Sequence, residues 1–235
     1  MGVISGFHPV REALRAGTPL ERILIARGMG GDRTQEIVEL ARGRSIPLRF
    51  ESRDALDRLA RGSVHQGVVA VGAAEKYAAL DDVLETANLL VILDGVEDPH
   101  NLGAIIRTAH AAGAGAVLIP DRRATGLTDT AVKAAAGALA WLPVVKVTNL
   151  NRTLEKLKEA GWWTYGLDER GDQALFGAEF AAKSAIVLGA EGHGLHQHLR
   201  DKCDYLLRIP MAGEVASLNV SVAAGLVLFE WRRTR

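Results

Sequence analysis

A single cysteine, Cys203, stands among 235 residues. No disulfide can form within the chain, and that usage fits a reducing compartment. Aromatic residues contribute only 5%. No apolar run approaches the roughly 18–20 residues that span a bilayer, which excludes a transmembrane helix. Met1 to Pro9 lacks the basic start and apolar core of a secretory signal. The expectation is a cytoplasmic protein with no membrane partner. Net charge is missing as well, 28 basic residues balancing 28 acidic ones, which argues against non-specific coating of nucleic acid. Lysine is absent from residues 1–73, which hold 11 Arg against 8 acids, whereas residues 74–235 hold 17 basic side chains against 20 acidic. Planar guanidinium groups suit phosphates and base stacking, although a GC-rich genome gives the same bias.

Hydrophobic residues make up 48% of the chain, the content of an ordinary globular protein with ample core. Periodicity divides it near residue 74. The first section reads as strands Arg22–Ala26, Pro47–Glu51 and Gly67–Gly72 with helices Thr34–Arg42 and Arg53–Ala60, and Ser52 as an N-cap. Ser5 to Leu14 reads as a turn entering a short helix. Residues 1–73 are thus a small α/β domain, and 74–82 a polar linker. The second domain, 83–235, alternates strands and helices. Its strands, such as L-L-V-I-L at Leu89–Leu93 and A-I-V-L at Ala185–Leu188, are apolar on both faces. That pattern predicts a parallel sheet covered by helices on both sides.

Three segments break the periodic pattern, each after a strand-like run: Asp94 to Ala109, Val187 to Leu195, and Ile209 to Trp231. In the last, Ser217 and Asn219 interrupt a face that should be buried, and polar groups there need partners. Ligands of parallel sheets lie beyond the carboxyl ends of strands, so the three loops are expected to converge on one site.

These segments resemble a known family. Asn101-Leu102-Gly103-Ala104 with Arg107-Thr108, the turn Gly189-Ala190-Glu191-Gly192, and Ile209-Pro210-Met211 with Ser217-Leu218-Asn219 are similar to the three motifs of the SpoU branch of the SPOUT methyltransferases. The N-terminal G-F-H-P-V-R-E-A-L and H-Q-G-V-V-A stretches resemble that family's substrate-binding domain. The resemblance implies methyl transfer from S-adenosylmethionine to a ribose 2′-hydroxyl of RNA, most like a guanosine of 23S rRNA. It also implies a homodimer and a C-terminal trefoil knot; periodicity alone predicts an unknotted sheet. Carried over by position, Gly189, Ala190, Gly192, Ile209, Met211 and Leu218 would hold the cofactor. Asn101, Arg107, Glu191, Ser217 and Asn219 would line the reacting centre.

The chemistry suits these residue types. Methyl transfer from a sulfonium is an in-line displacement, in which alignment alone contributes roughly 7–11 kcal/mol. Glycine turns allow close backbone approach to an adenine edge. Arg107 follows Asn101 by six residues, and helical side chains lean toward the N-terminus, so its guanidinium is expected to return to the loop before the helix. Arginine stays protonated, which fits a phosphate clamp and alkoxide stabiliser better than a proton acceptor. Taken alone, Arg107 and Glu191 would be surface charges, Ser217 an N-cap, and the glycines a plain turn.

Other readings find less support. His193, His196 and His198 have spacings compatible with a metal, but no acidic or cysteine partner sits beside them in sequence, and no metal is expected. Cys203 has no neighbours that would activate a thiol. A nicotinamide oxidoreductase needs a strand, glycine loop and helix in that order, and Gly113 and Gly115 end a helix instead. A non-catalytic RNA-binding protein would be expected to lose motif polar residues, and all five are present. The same reaction on tRNA or another rRNA position stays open.

Overall fold

The computed structural model describes residues 3–18, 20–72, 77–190, 194–214 and 217–235. Contacts divide the chain into two units, Met1–Lys76 and Tyr77–Arg235.

The first unit runs β1 (Val3–Ser5), α1 (Phe7–Arg15), β2 (Leu20–Ala26), α2 (Asp32–Gly43), β3 (Leu48–Glu51), α3 (Arg53–Ala60) and β4 (Val68–Gly72). Its sheet has the order β1-β4-β2-β3, with β2 and β3 parallel and β4 antiparallel to both of its neighbours. V-V-A-V-G in β4 is buried throughout, because side chains alternate between two covered faces. Ile23 and Ile25 pack with Val10 and Ile37 of α1 and α2, while Leu24 and Val69 meet Leu56 of α3. Ser52 caps α3 by accepting the Ala55 N–H, as its sequence position suggests.

The second unit runs α4 (Leu80–Leu84), β5 (Leu89–Asp94), α5 (Pro99–Ala112), β6 (Ala116–Pro120), α6 (Asp129–Ala134), β7 (Val144–Val147), α7 (Leu150–Glu159), β8 (Trp163–Leu167), β9 (Gln173–Ala174), β10 (Ser184–Gly189), α8 (Gln197–Arg200), β11 (Tyr205–Arg208) and α9 (Val220–Arg233). Seven parallel strands take the order β7-β6-β5-β10-β8-β11-β9. Leu89, Val91 and Leu93 of β5 face Leu102 and Ile106 of α5 and Val227 and Leu228 of α9. Leu90 and Ile92 face the other layer, with Leu154 and Leu157 of α7 and Leu199 of α8. This is the expected α/β architecture, a parallel sheet with helices on both faces.

Some boundaries differ from the sequence expectation. Tyr77 onward, read as the end of a linker, belongs to the second unit: Ala78 bridges to Val145, and α4 begins at Leu80. The last helix starts at Val220, and its cap is Asn219, not Ser217. No helix among the described residues is long and apolar enough to cross a membrane.

Candidate active site

Because β5, β8, β10 and β11 are parallel, their carboxyl ends share one edge of the sheet. Asp94 and Gly189, the last residues of β5 and β10, lie side by side in register. A cleft of about 720 Å³ opens there. Of the residues expected to hold a cofactor, Gly189, Ala190, Ile209, Met211 and Leu218 line it, and so does Ser217. Gly192 and Glu191 lie outside the described residues, as does His193.

Gly189 is required by close approach. A Cβ there would stand 2.1 Å from the backbone carbon and oxygen of Gly194, far inside contact distance. The backbone of 189–190 therefore touches the returning chain at 194, where Ala190 and Gly194 form a bridge. Gly194 itself has φ +64, a conformation natural to glycine.

Four polar residues of the cleft escape the sequence motifs: Asp168, Glu169, Arg170 and Arg208. Asp168 follows β8 directly, is only 7% exposed, and accepts the Arg170 N–H at 3.0 Å. Arg200 approaches its other oxygen at 4.0 Å. The available signal was an acid placed immediately after an apolar strand, the same pattern as Asp94 after L-L-V-I-L. Arg208 donates to the carbonyls of Gly171 and Asp172, both at 2.9 Å, tying the β8–β9 loop to the end of β11.

Beside the cleft, α5 and α9 meet. Asp98 caps α5 by accepting the His100 N–H, with Pro99 in the first turn. Asn101 lies in that turn and is 6% exposed. Its Oδ1 accepts a 3.0 Å hydrogen bond from Nδ2 of Asn219, while Oδ1 of Asn219 accepts the Ser221 N–H at 2.9 Å. One amide thus caps α9 and bridges to α5 across 118 residues of sequence. Leu218 and Val220, on either side of Asn219, line the cleft, so the Asn101–Asn219 pair sits at its border.

Arg107 departs from expectation. The structure does not bring it back to the loop before α5: it is exposed, is absent from the described lining of the cleft, and forms no hydrogen bond or ion pair among the described residues. Six residues from Asn101 turn it about 120° around the helix, which outweighs the lean of the side chain. It shares the solvent side of α5 with exposed His110.

Two further groups complete the surroundings. Buried Asp94 accepts both the N–H of His196, at 3.0 Å, and its ring Nδ1, at 2.8 Å, which fixes the chain after Gly194. Burial pushes the Cys203 thiol up to about 12, so it packs as a small apolar group against the Gly166 backbone. Among the described residues no group of three His, Cys, Asp or Glu could hold a metal ion.

This arrangement has known counterparts. Residues 88–229 match the model of the SpoU rRNA Methylase family, and residues 3–78 that of an RNA 2′-O ribose methyltransferase substrate-binding domain. A Bacillus subtilis protein assigned by name to the TrmH family of tRNA/rRNA methyltransferases is 43% identical over 99% of this chain and 95% of its own. The crystal structure of the SpoU methyltransferase AviRb from Streptomyces viridochromogenes, in complex with AdoMet, aligns with a TM-score of 0.84 at 28% identity. That alignment covers 98% of this chain and 89% of that one. A TrmH/SpoU tRNA-modifying enzyme of A. aeolicus aligns with a TM-score of 0.57 at 27% identity, over 66% of this chain and 82% of its own. With a family model spanning most of the chain and a relative matching nearly all of it, the protein belongs to the SpoU family of RNA methyltransferases.

Proposed function

We propose that the protein methylates a ribose 2′-hydroxyl of RNA with S-adenosylmethionine as donor, and that its substrate is a guanosine of 23S rRNA. The observation that carries the reading is the cleft at the strand ends, lined by Gly189, Ala190, Ile209, Met211, Ser217 and Leu218. These residues come from two of the three motifs, and the Asn101–Asn219 bond joins the third to its border.

The residues present fit the donor. Leu167, Leu188, Ile209 and Leu218 supply apolar walls for a purine, and buried Asp168 supplies an acceptor for a hydroxyl or ammonium group. Gly189 and Ala190 would hold an adenine edge through backbone groups. When bound, the donor supplies a methyl on a positive sulfonium, open to in-line displacement.

The chain's own residues then have separate tasks. Asn101 and Asn219, locked by their mutual bond and by the cap of α9, orient the ribose from a rigid helix junction. Ser217 lines the cleft, and Glu191 is assigned to the reacting centre by its place in the motif alone. Arg107, exposed and free of ion pairs among the described residues, clamps an RNA phosphate at the surface and so positions the ribose for reaction. The first unit, Met1–Lys76, recognises the RNA, and the second, Tyr77–Arg235, is the catalytic domain. The C-terminal segment closes a trefoil knot, and two cytoplasmic copies pair as a homodimer.

The extent of the structural matches favours rRNA over tRNA. An rRNA methyltransferase from Sinorhizobium meliloti aligns over 98% of this chain, whereas the tRNA-modifying enzyme aligns over 66%. Calorimetry with S-adenosylmethionine, followed by ribose-methylation mapping of rRNA from cells with and without the chain, tests the proposal. Donor binding and loss of one 23S rRNA guanosine mark are expected. Absence of donor binding, or a lost mark on tRNA alone, overturns it.

A further inference from the structure

Between α3 and β4, one side chain is held in solvent at a cost. Gln66 has φ +49, a left-handed conformation that disfavours a side chain by roughly 1 kcal/mol. Its neighbour His65 is 7% exposed and fixes the turn. His65 Nδ1 accepts the Gly67 N–H at 3.0 Å, so Nε2 carries the proton and donates to Asp57 at 2.9 Å. Glycine would take this conformation without strain. The turn instead presents a carboxamide, exposed and unengaged by any hydrogen bond among the described residues.

What surrounds Gln66 gives that exposure a purpose. Gly67 accepts the Ala26 N–H at 2.9 Å, and Arg27, next in the chain, donates its own N–H to Glu51 and its Nε to the Phe50 carbonyl, at 2.8 and 3.3 Å. The Gln66 turn, the end of β2 and the end of β3 are therefore stitched into one end of the four-stranded sheet. Phe50 stands there 51% exposed, an aromatic face with no apolar cover. Arg27 is bonded to its carbonyl, Arg53 follows it by three residues at the start of α3, and neither forms an ion pair among the described residues.

We infer that this end of the N-terminal unit binds an unpaired stretch of RNA. Phe50 stacks on a base, Arg27 and Arg53 hold the adjoining phosphates, and the Gln66 carboxamide reads the base edge. An exposed ring beside guanidinium groups suits bases freed from a helix, because duplex RNA keeps its bases stacked and offers mainly backbone and shape. A carboxamide carries both donor and acceptor, the equipment for a base edge. This inference rests on the RNA-directed reading above and specifies the form of RNA.

The test uses the full chain and a short fluorescein-labelled RNA of mixed sequence, alone or annealed to its complement, in titrations without methyl donor. The single strand is expected to bind more tightly. Phe50→Ala and Gln66→Gly should each weaken that binding about tenfold, while Phe50→Tyr keeps it. Gln66→Gly should leave the melting temperature unchanged or higher, since it relieves the strained φ, so lost binding would not reflect lost folding. Equal affinity for the duplex, or parental affinity in both weakened variants, overturns the inference. Donor calorimetry on the same proteins separates the two readings. A chain that binds single-stranded RNA but no donor refutes the proposed reaction and leaves this surface standing.

Discussion

Among the described residues, 1–76 bury only Thr34 and His65 as polar side chains, whereas 77–235 bury Asp94, Asn101, Thr153, Thr164, Asp168, Ser184 and Glu230. The first unit carries its arginines and its aromatic Phe50 outward, on a small mixed sheet. The second keeps Asp94, Asp168 and the Asn101–Asn219 amides paired at strand ends and helix caps. Buried polar groups are stabilising only when paired, and once paired they hold geometry. Outward arginines such as Arg53, with no ion pair among the described residues, are open to a ligand. The contrast is between a unit equipped for recognition and one equipped for alignment.

Arg107 is an exposed charge of the second unit, and changing it should have the largest effect. Arg107→Ala is expected to lower methyl transfer to rRNA at least a hundredfold, with donor binding intact by calorimetry. Arg107→Lys should keep a measurable fraction of the rate; equal loss in both would oppose a simple phosphate clamp. Next is Gly189→Ala, whose Cβ would enter the Gly194 backbone. Donor affinity should fall tenfold or more as the loops are pushed apart, by an overpacking cost of about 1–3 kcal/mol.

Asn219→Ala removes a helix cap and the bond to Asn101 together. A loss of about 2 kcal/mol in urea unfolding is expected. A double-mutant cycle with Asn101→Ala should show coupling; strict additivity would mean that the bridge contributes nothing. The smallest effect belongs to Glu230. Hydrogen bonding to the Arg233 guanidinium, then the Gly177 N–H, holds its carboxyl down at about 2. A depressed native value contributes stability above the unfolded value of about 4.3, and that contribution is lost as pH falls through about 2. Thermal melts across that window should steepen for the parent and flatten for Glu230→Gln.

Much of this was readable before any coordinates. The strands β5 and β10 announce themselves because both faces are buried, leaving unbroken apolar runs. The loops after them were legible as sites because their polar residues violate that pattern. What escaped lacks local signal. The strand β9 is two exposed residues, Gln173 and Ala174, drawn into the sheet by β11. The five-residue α4 is too short to show a helical period. Asn219 displaced Ser217 as cap because it satisfies α9 and Asn101 at once, a tertiary reason invisible to spacing. Arg107 was misplaced because the lean of helical side chains was weighed and their rotation was not.

The insertion of β10 between β5 and β8 bears on how the chain is made. Its neighbours leave the ribosome well before residues 184–189 do, so the middle of the sheet stays vacant while both flanking edges wait with unsatisfied amides. Pairing across so many residues is slow to nucleate, and open edges invite association between chains. Nascent copies truncated before Ser184 should therefore aggregate, and folding of the second unit should finish only after its release from the exit tunnel.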